Sequence, residues 1–163
     1  MTSHFKLEVR ELDKVIARRE VHGHLLTVNA IRRFSSSIYI TNQNMVDILG
    51  NTDAVAASSN FVYIIVRFGT GTTAESATDY KLATQTETTN GVIGSDSVVG
   101  TQIMMPITGS VSPAVNRSYT EAGWSTGGAT ADTSQYLFQR EVFAGVAVNA
   151  GQTATATFTV TMN

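Results

Sequence analysis

The clearest pattern in the chain is the strict alternation of threonine with apolar residues over 153–162. Successive side chains of a strand point to opposite faces, so this pattern predicts a strand with a buried face and a threonine-lined outer face. Residues 142–148 predict a second strand, and the Asn-Ala-Gly-Gln segment between the two is typical of a turn. We therefore expect these two strands to form a hairpin.

Apolar and β-branched runs predict further strands elsewhere. They are residues 5–10, 15–22, 61–68, 80–88, 98–107 and 114–119. The first two are expected to pair with each other, and the 61–68 strand to lie centrally in its sheet. The 80–88 strand is expected to turn back at Asn90-Gly91, and the 98–107 strand to end at Pro106.

Helix signals are few and short. Residues 28–34 predict one helix, and residues 43–49 a second with Asn42 as its cap and Gly50 as its stop. Residues 35–40 are compatible with a strand, and residues 120–135 predict a small polar loop. Seven or eight short strands without long intervening helices indicate one all-β domain over residues 1–163, an antiparallel, jelly-roll-like β-sandwich with one or two short helices.

Composition narrows the function classes. The chain has no cysteine, which excludes disulfides and thiolate metal sites. Charged residues are 15% of the chain, below the usual level of about 25%, so Thr, Ser, Asn and Gly must cover the surface. No apolar run is typical of a signal peptide or a membrane span, which predicts synthesis in the cytoplasm and no membrane partner.

Charge is distributed unevenly along the chain. Residues 1–33 hold seven basic and four acidic residues, whereas the remainder holds four basic and nine acidic residues. The first part is thus +3 and the rest −5, so residues 1–22 are expected to form an arm or strand pair that contacts an acidic neighbour. Arg18, Arg19, Arg32 and Arg33 are the candidate contact residues; the alternative is that they are only solvated. Basic residues do not alternate with aromatic ones, so direct nucleic-acid binding is not predicted.

Two short motifs match enzyme signatures but lack their context. Residues 123–127 fit G-x-S-x-G, yet all three histidines lie upstream and the residues that follow are poor helix formers. Residues 69–74 fit a loose G-x-G-x-x-A, but no helix is predicted to open there, so the glycines are interpreted as a loop that needs positive φ.

Metal and acid–base chemistry also find little support in the sequence. His22 and His24 share one face of a predicted strand, but no third ligand lies nearby, so half-exposed histidines are the preferred interpretation. No carboxylate pair lies in an obviously apolar segment. We predict no catalytic residue, no metal and no cofactor, and hence no enzyme.

Three aromatic residues remain as candidate contact residues. Trp124, the sole tryptophan, lies in the predicted loop with Tyr119 and Tyr136 near it. Trp124 is expected either to plug the end of the sandwich or to anchor a protein contact. The three rings together suggest an alternative, a stacking surface for a carbohydrate.

Three segments follow one another in a distinctive order. They are IIVRFGTGTT at 64–73 with ATDYKL at 77–82, YTEAGW at 119–124, and LFQREVF at 137–143 running into VAVNAGQT and the alternating final strand. In this order they resemble small structural proteins of tailed bacteriophages. The resemblance covers residues 60–163, with Trp124 where the pattern more often has leucine.

This resemblance implies a β-sandwich subunit of a virion, present in many copies and without catalytic residues. Its expected partners are copies of itself and other virion proteins, in a tail, neck, fibre or capsid-decorating position. The alternative is a receptor- or carbohydrate-binding module of a phage fibre, with a host-surface glycan as its ligand.

Overall fold

Strands dominate the structure, as the alternating pattern predicts. The computed structural model describes residues 2–22, 26–39, 43–55, 63–127 and 135–162. Within them the elements are β1 (Thr2–Glu11), β2 (Lys14–His22), α1 (Val28–Tyr39), β3 (Gln43–Val46), β4 (Thr52–Val55), β5 (Tyr63–Gly69), β6 (Gln85–Asn90), β7 (Val92–Ile93), β8 (Ser97–Val99), β9 (Gln102–Val111), β10 (Arg117–Gly127), β11 (Gln135–Val148) and β12 (Thr153–Met162). The predicted all-β fold is confirmed.

Two antiparallel sheets form a sandwich. Sheet A has six strands in the order β2-β1-β12-β9-β7, with β8 also paired to β9. Sheet B has four strands in the order β11-β10-β5-β6, so β5 is an inner strand as predicted. β3 and β4 form a separate two-stranded ribbon.

The alternation of β12 places its apolar residues in the core between the sheets. Ala154, Ala156, Phe158 and Val160 have no exposed surface. The Phe158 ring lies 5.0 Å from that of Phe5 on β1, measured between centroids. Burying a phenylalanine side chain contributes about 1.5–3 kcal/mol, so this strand is a main source of stability.

The threonine face of β12 is the outer face of sheet A. Its hydroxyls meet hydroxyls of β9 in three cross-strand pairs. These are Thr157 with Thr108 at 3.2 Å, Thr155 with Ser110 at 2.8 Å, and Thr153 with Ser112, just beyond β9, at 2.9 Å. Such pairs contribute about 0.2–1 kcal/mol each, and they cover the face without charge.

The N-terminal segment is a pair of strands inside sheet A. β1 lies between β2 and β12, and Phe5, Leu7 and Val9 are fully buried. The predicted pairing of residues 5–10 with 15–22 is confirmed, and of the two forms expected for residues 1–22 the structure has the strand pair, built into sheet A, and not an arm. Its apolar side chains are part of the core, so removal of these residues would open the sandwich.

The predicted C-terminal hairpin is wrong, although both strands exist. β11 belongs to sheet B and β12 to sheet A. The turn between them is present, with Gly151 at φ 86° and the Gln152 amide donating to the Asn149 carbonyl over 3.0 Å. Turn residues report a reversal of the chain, but they do not report whether the flanking strands pair.

The same error affects the other predicted turn. β6 lies in sheet B and β7 in sheet A, so Asn90-Gly91 is a crossing between sheets. β9 also continues through Pro106 instead of ending there. Pro106 is tolerated because it lies between the part of β9 that pairs with β8 and the part that pairs with β7.

The helix over 28–34 is confirmed and extends to Tyr39, which overrides the strand alternative for 35–39. Thr27 caps it by accepting from the Ala30 amide at 3.4 Å. The helix predicted over 43–49 is wrong, because β3 is followed by a turn in which the Asp47 carboxylate accepts from the Leu49 amide. Asn42, its predicted cap, lies outside the described residues.

Candidate functional site: sheet edges and a buried carboxylate network

The loop predicted over 120–135 is wrong where it is described, and this changes the meaning of its aromatic residues. β10 runs through residue 127 and β11 begins at 135; residues 128–134 lie outside the described part of the chain. β10 lies between β11 and β5, and all residues from 121 to 126 are buried, so this strand is covered on both of its faces.

All three candidate aromatic contact residues are therefore buried. Tyr119 has no exposed surface, Trp124 is 3% exposed and Tyr136 is 4% exposed. The Trp124 ring packs edge-on against Phe138 with centroids 5.0 Å apart, and its Nε1 donates to Gln139 over 3.2 Å. Because none of them presents a face to solvent, they form neither a protein contact nor a carbohydrate platform, and that prediction is corrected.

The four candidate arginines separate into two groups. Arg18 and Arg19 are exposed on β2, where Arg18 forms an ion pair with Glu20. Arg32 and Arg33 lie on α1 and are partly buried, and Arg32 donates to the Asn44 carbonyl over 2.6 Å. Only the pair on β2 lies at a sheet edge.

One edge of sheet A carries a group of exposed apolar side chains. β7 and β8 are two and three residues long and leave part of β9 uncovered. The exposed residues of this β7–β8 edge are Val92, Ile93, Val98, Val99 and Ile103, each at least 40% exposed. Strands this short offer few backbone groups for pairing, but their exposed apolar side chains form a surface that another chain can cover.

The opposite edge of sheet A is β2, which also faces solvent. Leu12 in the β1–β2 turn is 94% exposed, and Val15 and Ile16 are 38% and 44% exposed. Arg18 and Arg19 follow on the same strand. The β2 edge, residues 12–19, thus combines apolar and basic side chains.

The β11 edge of sheet B is capped by contrast. Its Gln135 and Phe138 carbonyls accept from the amides of Ile48 and Thr27, over 2.9 Å in both cases. Its Val142 amide donates to the Glu75 carboxylate over 2.6 Å. These bonds occupy backbone groups of β11 that another strand would need, so this edge is less available for strand pairing.

A buried carboxylate organises the loop that follows β5. Glu121 on β10 has no exposed surface, and its oxygens accept from the Gly71, Ala83 and Thr84 amides at 2.6–3.0 Å. Arg140 on β11 donates to the same carboxylate over 2.9 Å. Hydrogen bonds to the Glu121 side chain thus fix the two ends of the loop between β5 and β6.

The glycines of this loop are explained by space. A Cβ at Gly71 would lie 2.5 Å from Glu121 Oε1, and one at Gly69 would lie 2.6 Å from it. Neither glycine has positive φ, so the predicted conformational reason is wrong and close approach replaces it. The Gly71 amide, which a dinucleotide would need, donates to Glu121.

A second buried carboxylate lies on β11, directly after Arg140. Glu141 has no exposed surface, and its Oε1 accepts from Gln139 Nε2 over 2.6 Å. Burial, together with the nearby charge of Glu75, raises its pKa to about 8. Neither buried glutamate was expected from the sequence, because neither lies within a continuous apolar run. Their burial, like that of Arg140, becomes visible only in the fold.

The G-x-S-x-G segment lies in the middle of β10. Ser125 is buried, and its hydroxyl accepts from Arg67 Nε over 2.9 Å. Among the described residues it has neither the exposed turn nor the base of a nucleophile elbow.

No helix in the described residues is long and apolar enough to span a bilayer. Comparisons with protein-family models, curated proteins and solved structures returned no match.

Proposed function

We propose that this chain is a structural subunit of a tailed-phage virion that acts by contacts with copies of itself and with other virion proteins. The ordered resemblance over residues 60–163 motivates the class of protein. The all-β sandwich is compatible with it. The observation that carries the proposal is that, in the described part of the chain, both edges of sheet A carry exposed apolar side chains.

The two edges are complementary in kind. The β7–β8 edge offers exposed apolar side chains and Asp96, whereas the β2 edge offers apolar side chains with Arg18 and Arg19. Apolar contact supplies most of the affinity of such an interface, and the charges favour one orientation. We therefore assign the β2 edge of one copy to the β7–β8 edge of the next.

Pairing of different edges is a head-to-tail contact. Such a contact closes into a ring or continues as a filament, and each copy keeps the same two surfaces. Added strand pairing satisfies backbone groups that are otherwise exposed at the sheet edges. Rings and stacked tubes of identical subunits are therefore the expected assemblies.

The contact is tested by charge insertion at the edge. We expect the wild-type chain to associate with rising concentration in size-exclusion chromatography with light scattering, and Val98→Lys to remain monomeric. Val115→Lys is the matched control, because Val115 is also exposed, at 53%, but lies outside both edges. A wild-type monomer at all concentrations, or equal effects of the two variants, would contradict the proposal.

The virion assignment has its own test. Particles of a phage that encodes this chain are purified by gradient centrifugation, and their proteins are quantified by mass spectrometry. We expect the chain in stoichiometric multiples of a ring or shell symmetry. Its presence in infected cells but absence from purified particles would refute the assignment while leaving self-association untouched.

A further inference from the structure

Strand pairing brings two histidines together that are distant in sequence. His4 on β1 lies directly opposite His22 on β2. Their imidazole rings are stacked, with centroids 4.3 Å apart and planes inclined by 8°. Glu20 lies two residues before His22, so its side chain leaves the same face of the strand.

The three side chains converge through their donor atoms. One donor from each of His4, Glu20 and His22 lies within 4.8 Å of the other two. His4 Nε2 is buried and has no hydrogen-bond partner among the described residues. Among the described residues, His4 Nε2 is therefore a buried nitrogen that is free to bind a ligand, and it lies beside the carboxylate of Glu20 and the imidazole of His22.

Two basic residues lie beside this cluster and limit its charge. Arg18 forms an ion pair with one oxygen of Glu20. Lys6, which pairs with Glu20 in register, has its ammonium 2.7 Å from Glu8 instead. The Glu20 carboxylate is thus shared between the Arg18 ion pair and the cluster with the two histidines.

We propose that His4, His22 and Glu20 bind a divalent transition-metal ion, with Zn²⁺ as the best match. Two imidazoles and a carboxylate are a borderline donor set that suits zinc better than Mg²⁺ or Ca²⁺, which prefer oxygen ligands alone. Tetrahedral zinc with bonds of about 2.0–2.1 Å holds its donors about 3.3 Å apart. The donors here lie within 4.8 Å of one another and the two rings are stacked, so metal binding requires the imidazoles to tilt until both nitrogens point at the ion. The fourth position is left for water or a neighbouring chain.

The site has a consequence for the fold. A metal held by both strands fastens β2, the outermost strand of sheet A, to β1. Because the ion binds the folded arrangement and not separated strands, it stabilises the native state by mass action. Zinc is therefore expected to raise the melting temperature of the chain.

The test uses the whole chain with Zn²⁺ in isothermal calorimetry and with Co²⁺ as a spectroscopic probe. We expect one Zn²⁺ per chain, a Co²⁺ absorption spectrum typical of imidazole and carboxylate ligands, and a higher melting temperature. His22→Gln removes an exposed ligand without disturbing the core, and it is expected to weaken binding by more than about tenfold, as are His4→Gln and Glu20→Gln.

His24 lies outside the described residues. It supplies the comparison variant, because its replacement removes the remaining histidine of the chain and leaves the three proposed ligands in place. His24→Gln is expected to leave binding unchanged. The proposal is overturned if the wild-type chain binds no Zn²⁺, or if His24→Gln abolishes binding while His4→Gln does not. The latter result would assign the site to the His22-x-His24 pair.

Discussion

Glu141 makes stability depend on pH in a direction opposite to that of most carboxylates. Its pKa is raised from 4.5 to about 8 by burial and by the charge of Glu75, against a smaller opposing effect of the Gln139 hydrogen bond. Between these values the folded chain binds a proton that the unfolded chain has lost. The free energy of unfolding therefore falls as pH rises through this window.

The size of the effect follows from linkage. One pKa unit corresponds to about 1.4 kcal/mol, so a shift from 4.5 to about 8 costs roughly 1 kcal/mol at pH 5 and roughly 3 kcal/mol at pH 7, relative to the acid limit. The wild-type chain thus loses about 2 kcal/mol between pH 5 and pH 7 through this one group. Domains of this size have only about 5–15 kcal/mol in total, so the loss is measurable.

Glu141→Gln is the perturbation that isolates this term. Glutamine keeps an acceptor for Gln139 and cannot ionise, so the variant should gain about 2 kcal/mol over wild type between pH 5 and pH 7. Urea unfolding at several pH values, followed by the fluorescence of buried Trp124, gives the difference directly. Glu11→Gln is the control, because Glu11 is exposed and its difference from wild type should be flat. A constant difference between Glu141→Gln and wild type from pH 5 to pH 8 would refute the reasoning.

Three further outcomes follow from the packing. Glu121→Gln removes one of the two carboxylate partners of buried Arg140, leaves the 2.8 Å pair with Asp79, and weakens the bonds from three loop amides, so it should cost about 1.5–3 kcal/mol in urea unfolding. Glu87→Gln, which breaks a partly exposed pair with Arg117, should cost about 1 kcal/mol or less. Gly109→Ala places a Cβ 2.6 Å from that of Val66 in the facing sheet and should lower stability by about 1–3 kcal/mol. Gly145→Ala, whose Cβ would meet the Ser118 hydroxyl at 2.9 Å and the Thr120 methyl at 3.5 Å, should cost less, because the hydroxyl can rotate away. Trp124 should emit at short wavelength and resist acrylamide quenching in the native state, and ready quenching would contradict its burial.

The sequence predicts strands well wherever apolar residues alternate. The pattern of β12 identifies both its faces, and the run in β5 identifies an inner strand. It fails at the connections, because Asn90-Gly91 and the 149–152 turn have hairpin chemistry but link different sheets. Strand pairing is set by contacts between distant segments, which local turn residues do not encode.

The candidate site shows the same division. Trp124 lies next to glycines, so the sequence favours a loop, and only the pairing of β10 with two neighbours reveals a buried strand. The His4–His22 pair was within reach of sequence reasoning, because strands reversing near residues 12–14 place positions 4 and 22 opposite each other. The burial of Glu121 and Glu141 could not be predicted from the sequence. Glu121 is buried because Arg140 and the amides of the loop after β5 bind it, and Glu141 is bound by Gln139.

The distribution of capped and free edges links the fold to assembly. Consecutive strands pass repeatedly between sheets, so neither sheet can close without the other and both contribute to one core. At the edge of sheet B, the amides of residues 27 and 48 and the carboxylate of residue 75 bond to backbone groups of β11. The two edges of sheet A instead carry exposed apolar side chains. A free apolar edge favours aggregation unless a specific partner covers it. The exposed apolar side chains on both edges of sheet A, beside the occupied β11 edge of sheet B, are therefore the feature that favours the proposed contact with neighbouring copies.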